Sequence, residues 1–162
     1  MVQQDMQLQH LFGKMIKVGI AGNGSVGKEL IKILPKDLEV CIYTRAKNNF
    51  YEMLNCDIII DVMDSLSKSE ELFLCAIRSE TPLIMCNKEF VFTHLEAISL
   101  CKNKIYLHSI VSSKNYKEFP PLNNKNIKKY LDRDLFIYRG GGAEETAYFI
   151  LQDLFSFINT KA

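Results

Sequence analysis

The sequence predicts an α/β fold, a doubly wound and mostly parallel sheet with helices on both faces. Three observations predict it. Short apolar runs rich in β-branched residues alternate with segments of helical spacing along most of the chain. Ile58, Ile59 and Ile60 follow one another without a polar break, as in a central strand buried on both faces. A cluster of glycines separates the first apolar run from the first helical segment, where a β-α-β unit turns.

Taken in order, Ile16 to Ala21 reads as the first strand, and Ser25 to Leu34 as a helix stopped by Pro35. Leu38 to Tyr43 is the second strand and Cys56 to Met63 the third. A helix from about Leu66 to Ser79 follows. Pro82 to Cys86 and Lys104 to His108 read as strands around a helix with Phe90, Val91, Leu95, Ile98 and Leu100 as apolar positions. From 112 to 134 the periodicity breaks into Ser, Lys, Asn and Pro120-Pro121, with a short helix near Ile127 to Leu131. Leu135 to Tyr138 restores a strand, Gly140 to Gly142 a turn, and Glu144 to Ile158 a closing helix.

The expected organisation is therefore one Rossmann-type domain over 15–162, preceded by a flexible tail over 1–14. The chain has 162 residues, 48% of them hydrophobic, enough for one sizeable core. Twenty basic against 19 acidic side chains leave a net charge of +1, which gives no broad attraction to nucleic acid or to an anionic membrane. Neither is expected as a partner, and no metal site is expected. Five scattered cysteines without a C-x-x-C pair suit free thiols in the cytoplasm. The Gln-rich start does not resemble a secretory signal.

Gly22, Asn23, Gly24, Ser25, Val26 and Gly27 spell G-x-G-x-x-G after a strand and at the start of a helix. In that setting the first glycine permits the tight turn, the second admits a pyrophosphate to the backbone, and the third lets helix pack on strand. The helix start then offers unpaired N–H groups to phosphate. The blander reading is that the glycines only shape a turn. An acidic residue about twenty positions on would bond the ribose of NAD. Here Tyr43, Thr44 and Arg45 stand in that place, with Lys47 nearby. Thr44 and Arg45 are candidate cofactor contacts, and the guanidinium favours NADP modestly over NAD. Solvated loop cations are the alternative.

Three segments together resemble the nucleotide-binding part of homoserine dehydrogenase, with aspartate dehydrogenase a more distant relative. They are the glycine turn, the stretch Thr81-Pro82-Leu83-Ile84-Met85-Cys86-Asn87-Lys88, and Gly140-Gly141-Gly142-Ala143 followed by Thr146-Ala147 and Asp153-Leu154. The resemblance spans roughly 16–111 and 136–157. It implies an oxidoreductase that passes hydride between a nicotinamide cofactor and a small amino-acid-type substrate. It also implies that Lys88 is catalytic, near nicotinamide and substrate, with Asn87 and Gly142 beside the cofactor.

In that family a long substrate-binding and dimer-forming segment joins the two blocks, whereas here the bridge 112–134 stands in its place. A homodimer or a separate substrate-domain partner would then complete the site. The alternatives are a non-catalytic sensor, a degenerate paralogue, or one subunit of a split dehydrogenase.

Without the resemblance, Asn87 and Lys88 read as a helix cap and an exposed first residue. Asp61 and Asp64 end the third strand where a nicotinamide ribose would lie, though Asp64 before Ser65 also reads as a cap. His108 is expected to end the fifth strand on the functional edge. His94 is assigned no function, and Cys86 reads as a buried structural thiol.

Overall fold

A computed structural model describes residues 15–44, 50–111, 120–130 and 141–160. The expected tail 1–14, Arg45, Lys47, the strand at Leu135 to Tyr138 and Gly140 lie outside the described residues.

Five strands form one parallel sheet: β1 (Lys17–Ala21), β2 (Glu39–Tyr43), β3 (Ile58–Asp61), β4 (Leu83–Met85) and β5 (Ile105–Tyr106), in the order β2-β1-β3-β4-β5. Register is continuous across the centre, with Ile20 opposite Ile42 on one side and Ile60 on the other. The run of isoleucines has the expected cause: Ile58, Ile59 and Ile60 are fully buried, alternating between the two cores.

Helices cover both faces. On one, α1 (Ser25–Ile33) packs against the last helix, α5 (Ala143–Thr160), over Val18, Ile20, Ile58 and Ile60. The other carries a 3-10 helix (Phe50–Asn55), α2 (Leu66–Ser79), α3 (Lys88–Thr93) and α4 (Leu95–Leu100), with Phe50, Leu72, Phe90 and Ile98 in its core. This is the doubly wound α/β architecture. Because β1 leads to β2 and β3 leads to β4 in opposite directions along the sheet, the strand order reverses between β1 and β3. Open α/β sheets bind their ligands there, beyond the carboxyl ends of the strands.

Two elements differ from their sequence expectations. The expected helix around Phe90 to Leu100 is two short helices broken at His94, whose ring stacks on Phe90 and whose Nδ1 lies 3.0 Å from the Phe90 carbonyl oxygen. Leu100, expected on the apolar face, is 73% exposed. The fifth strand stops at Tyr106, because the Leu107 N–H donates to Leu122 O at 2.8 Å and His108–Ile110 coils into a 3-10 turn. Asp153 from α5 caps that turn, its Oδ2 accepting the His108 N–H at 3.1 Å.

Ile127–Tyr130 is a 3-10 helix near its expected place. All five cysteines are free thiols. Among the described residues no helix is long and apolar enough to cross a membrane.

Candidate functional site

The three glycines of the turn differ in what surrounds them. Gly22 has φ +117°, and a Cβ there would sit 3.1 Å from the carbonyl carbon and oxygen of Val62, so the position excludes a side chain twice over. Its N–H donates to Tyr43 O at 3.1 Å, tying the turn to the end of β2. Gly24 has ordinary extended backbone, and a Cβ there would meet nothing within 4 Å. Gly27 packs its α-carbon on the turn, since a Cβ would lie 3.2 Å from Gly22 O. Tight turn, open approach and close helix packing thus fall to the first, second and third glycine in that order.

Ser25, Val26 and Gly27 make the first turn of α1. That turn carries no acidic residue, and no side chain caps it. Its N–H groups and the positive end of the helix dipole therefore have no anion built into that turn, although Ser25, Val26 and Gly27 do not themselves line the cleft beside it.

A cleft of about 280 Å³ opens at the β1/β3 switch point. Gly22, Asn23 and Gly24 form its floor, Tyr43 and Thr44 one wall, and Met63, Asp64 and Lys68 the other. Its size is close to the lower bound of ordinary ligand sites, roughly 300 Å³. Of the sequence candidates, Gly22, Asn23, Gly24, Thr44 and Asp64 line the cleft together. Val62, Met63, Ser65 and Lys68 line it too and were not expected.

The far wall begins in the loop after β3. Ser65 caps α2, its Oγ accepting from Lys68 N at 3.2 Å, which corrects the reading of Asp64 as the cap and leaves Asp64 exposed at the cleft. Asp61 is corrected as a ribose contact, since it is wholly buried below the cleft. Its Oδ1 accepts the Met63 N–H at 2.9 Å. Oδ2 and the buried Ser69 hydroxyl have no hydrogen bond of good geometry among the described residues, although that hydroxyl is near enough to favour the carboxylate. Burial outweighs both and raises the Asp61 carboxyl to about 6.

Asn87 and Lys88 do not line the cleft. Asn87 Oδ1 caps α3 by accepting Phe90 N–H at 3.1 Å, and its Nδ2 reaches Met63 O at 3.4 Å, joining the loops after β4 and β3. Lys88, the first residue of α3, is half-buried rather than exposed, and burial lowers its pKa. Gly142, at φ +96° with open space around it, precedes α5, whose first turn carries Glu144 and Glu145. It does not line the cleft. The Cys86 thiol donates to Asp61 O at 3.0 Å, and burial raises its pKa.

His108 is corrected as a strand-end residue on the functional edge. It begins the 3-10 turn, 5% exposed, with its ring edge-on to Phe149 and its pKa lowered by burial. Among the described residues no group of three His, Cys, Asp or Glu side chains could hold a metal ion.

The fold and cleft define an α/β protein with a glycine-rich turn at its switch point. Compared with known proteins, the chain matches no family model and no curated sequence.

Proposed function

We propose that the chain binds an adenine dinucleotide, NADP or NAD, across the cleft at the Gly22 to Gly27 turn. The observation that carries this is the division of labour among the glycines: Gly22 admits no side chain, Gly24 faces open space, and Gly27 seats the helix. A turn shaped only for folding needs the first and third. It has no need of an open backbone at the second, above an uncapped helix start without acidic residues. Thr44 and Asp64 then face the sugars from opposite walls.

The finer reading, from the resemblance to homoserine dehydrogenase, is an oxidoreductase. Lys88 lies just beyond the carboxyl end of β4, and its half-burial favours the neutral amine that a proton transfer needs. Its substrate pocket would come from a homodimer or a separate partner. Five free thiols suit the cytoplasm.

A non-catalytic dinucleotide-binding module is the second reading. The observation favouring it is that Asn87 is occupied by a helix cap and a loop contact, and that neither it nor Lys88 reaches the cleft.

Titration with NADPH and NADH, followed by nucleotide fluorescence or heat, tests the common claim. Saturable binding of at least one is expected, and no binding at millimolar nucleotide removes both readings. Homoserine-dependent reduction of NADP, lost in Lys88→Ala, separates the enzyme from the binding module.

A further inference from the structure

A carboxyl group is sealed beneath the proposed cleft. Asp61 is the last residue of β3 and pairs with Ala21, the last of β1, so the residues that follow them, Val62 and Gly22, are wall and floor of the cleft. Asp61 itself is wholly buried. The Val62 N–H donates to Ala21 O at 2.9 Å, and Asp61 Oδ1 accepts the Met63 N–H at 2.9 Å, so the carboxyl holds the wall from below.

Its surroundings favour the neutral acid. Oδ2 and the Ser69 hydroxyl are both buried without a hydrogen bond of good geometry among the described residues, and a proton on Oδ2 gives that oxygen a donor to offer the hydroxyl. A carboxylate there would have one N–H and one poorly placed hydroxyl to hold its charge, fewer than the roughly two to three donors that keep a buried carboxylate ionised. The charged and titratable groups on the elements around it come from four places. The Cys86 thiol, just past β4, donates to Asp61 O at 3.0 Å and is kept protonated by burial. Lys88 opens α3, Lys68 stands in the first turn of α2 with its ammonium 3.2 Å from Glu71 Oε2, and Asp64 is exposed on the cleft wall. None of them acts on the Asp61 charge as strongly as burial, which raises the carboxyl to about 6.

We infer that Asp61 takes up a proton when nucleotide binds. This rests on the dinucleotide reading above. A pyrophosphate over the glycine turn brings negative charge toward the carboxyl and drives water from the cleft, and both disfavour an anion beneath it. The occupied cleft therefore raises the Asp61 carboxyl further from its value of about 6. Binding is then strongest below that pH and weakens as pH rises through it, until the bound form also loses its proton.

The test is calorimetric titration of wild type, Asp61→Asn and Ser69→Ala with NAD and NADP from about pH 5.5 to about pH 8, in buffers of different ionisation enthalpy, with thermal midpoints to check folding. Wild-type affinity should fall by about tenfold across this range, the equivalent of a one-unit shift, with net proton uptake at intermediate pH. Asp61→Asn, which keeps an acceptor for the Met63 N–H and cannot ionise, should hold the acid-side affinity throughout and take up no proton with NAD. The 2′-phosphate of NADP titrates near 6 on its own account, equally for every variant, so the difference between proteins is what is read with that ligand. Ser69→Ala removes the hydroxyl that favours the carboxylate and should move the fall in affinity to higher pH, which keeps the inference open to refutation where Asp61→Asn does not fold. Equal pH profiles in wild type and Asp61→Asn, no proton uptake by wild type, or an unmoved profile in Ser69→Ala would each overturn the coupling while leaving dinucleotide binding intact. Failure of the wild type to bind either nucleotide at any pH instead overturns the dinucleotide reading itself.

Discussion

Gly22 and Gly24 are two residues apart and have opposite requirements. At Gly22, alanine would have to adopt φ +117° with its methyl 3.1 Å from the Val62 backbone, which does not yield as a flexible side chain would. Gly22→Ala should therefore lower stability by about 1–2 kcal/mol from the backbone conformation alone, with more from the contact. Gly24→Ala has an ordinary extended backbone and open space, so its stability should stay within about 0.5 kcal/mol of wild type. Its methyl would stand where a pyrophosphate approaches, and NADPH affinity should fall at least about tenfold. Thermal denaturation and nucleotide titration of the two variants check the pair. A stable Gly24→Ala that binds as well as wild type would leave the second glycine without a ligand to serve. Sequence alone revealed the glycines because the motif is local. It missed Lys68 because no spacing rule links a residue of α2 to the turn after β1, which share the cleft only through the sheet order.

At the scale of elements, legibility followed burial. The isoleucine run of β3 was readable because both its faces are covered, so every position is apolar. The closing helix was readable from a stripe of Ala147, Ile150, Leu151, Leu154 and Phe155, of which Ala147, Ile150 and Leu154 are buried and Leu151 and Phe155 half-buried, while Phe157 is buried outside that stripe. What failed depended on tertiary hydrogen bonds. β5 ends early because Leu122 accepts the Leu107 N–H and a buried carboxylate from α5 caps the next turn, neither of which periodicity records. The 3-10 helix at Phe50–Asn55 has no period long enough to see, although Phe50 and Met53 are core residues.

Asn87 shows how one side chain joins elements. It caps α3 and bonds the loop after β3, so Asn87→Ala should destabilise by about 1 kcal/mol through the cap and loosen the Met63 wall of the cleft. Urea unfolding measures the first effect. Asn87→Ser, which can cap but cannot reach as far, should recover stability more than nucleotide affinity.

For the whole molecule, the buried Asp61 carboxyl sets a pH dependence. Its pKa rises from 3.8 to about 6 on folding. Between these values the folded state keeps a proton that the unfolded chain has lost, so this group's contribution is fullest in acid and declines as pH rises through about 4 to 6. Asp61→Asn retains an acceptor for the Met63 N–H and removes the decline. It should match the wild type near pH 4 and exceed it at pH 7 by up to about 3 kcal/mol, the equivalent of a two-unit shift. Denaturant unfolding at the two pH values checks this, and parallel curves would contradict it. Asp153, also buried and raised, bends the wild-type profile in the same direction.

The close approach of Gly22 to the backbone of Val62 bears on how the proposed ligand would arrive. The Val62 N–H donates to Ala21 O at 2.9 Å, so the spacing of the turn and the loop after β3 is fixed by the sheet. The described part of the groove is held by main chain. For the proposed nucleotide this predicts a single-step association at a rate set by diffusion and orientation, with differences in affinity between nucleotides arising in how long each one stays.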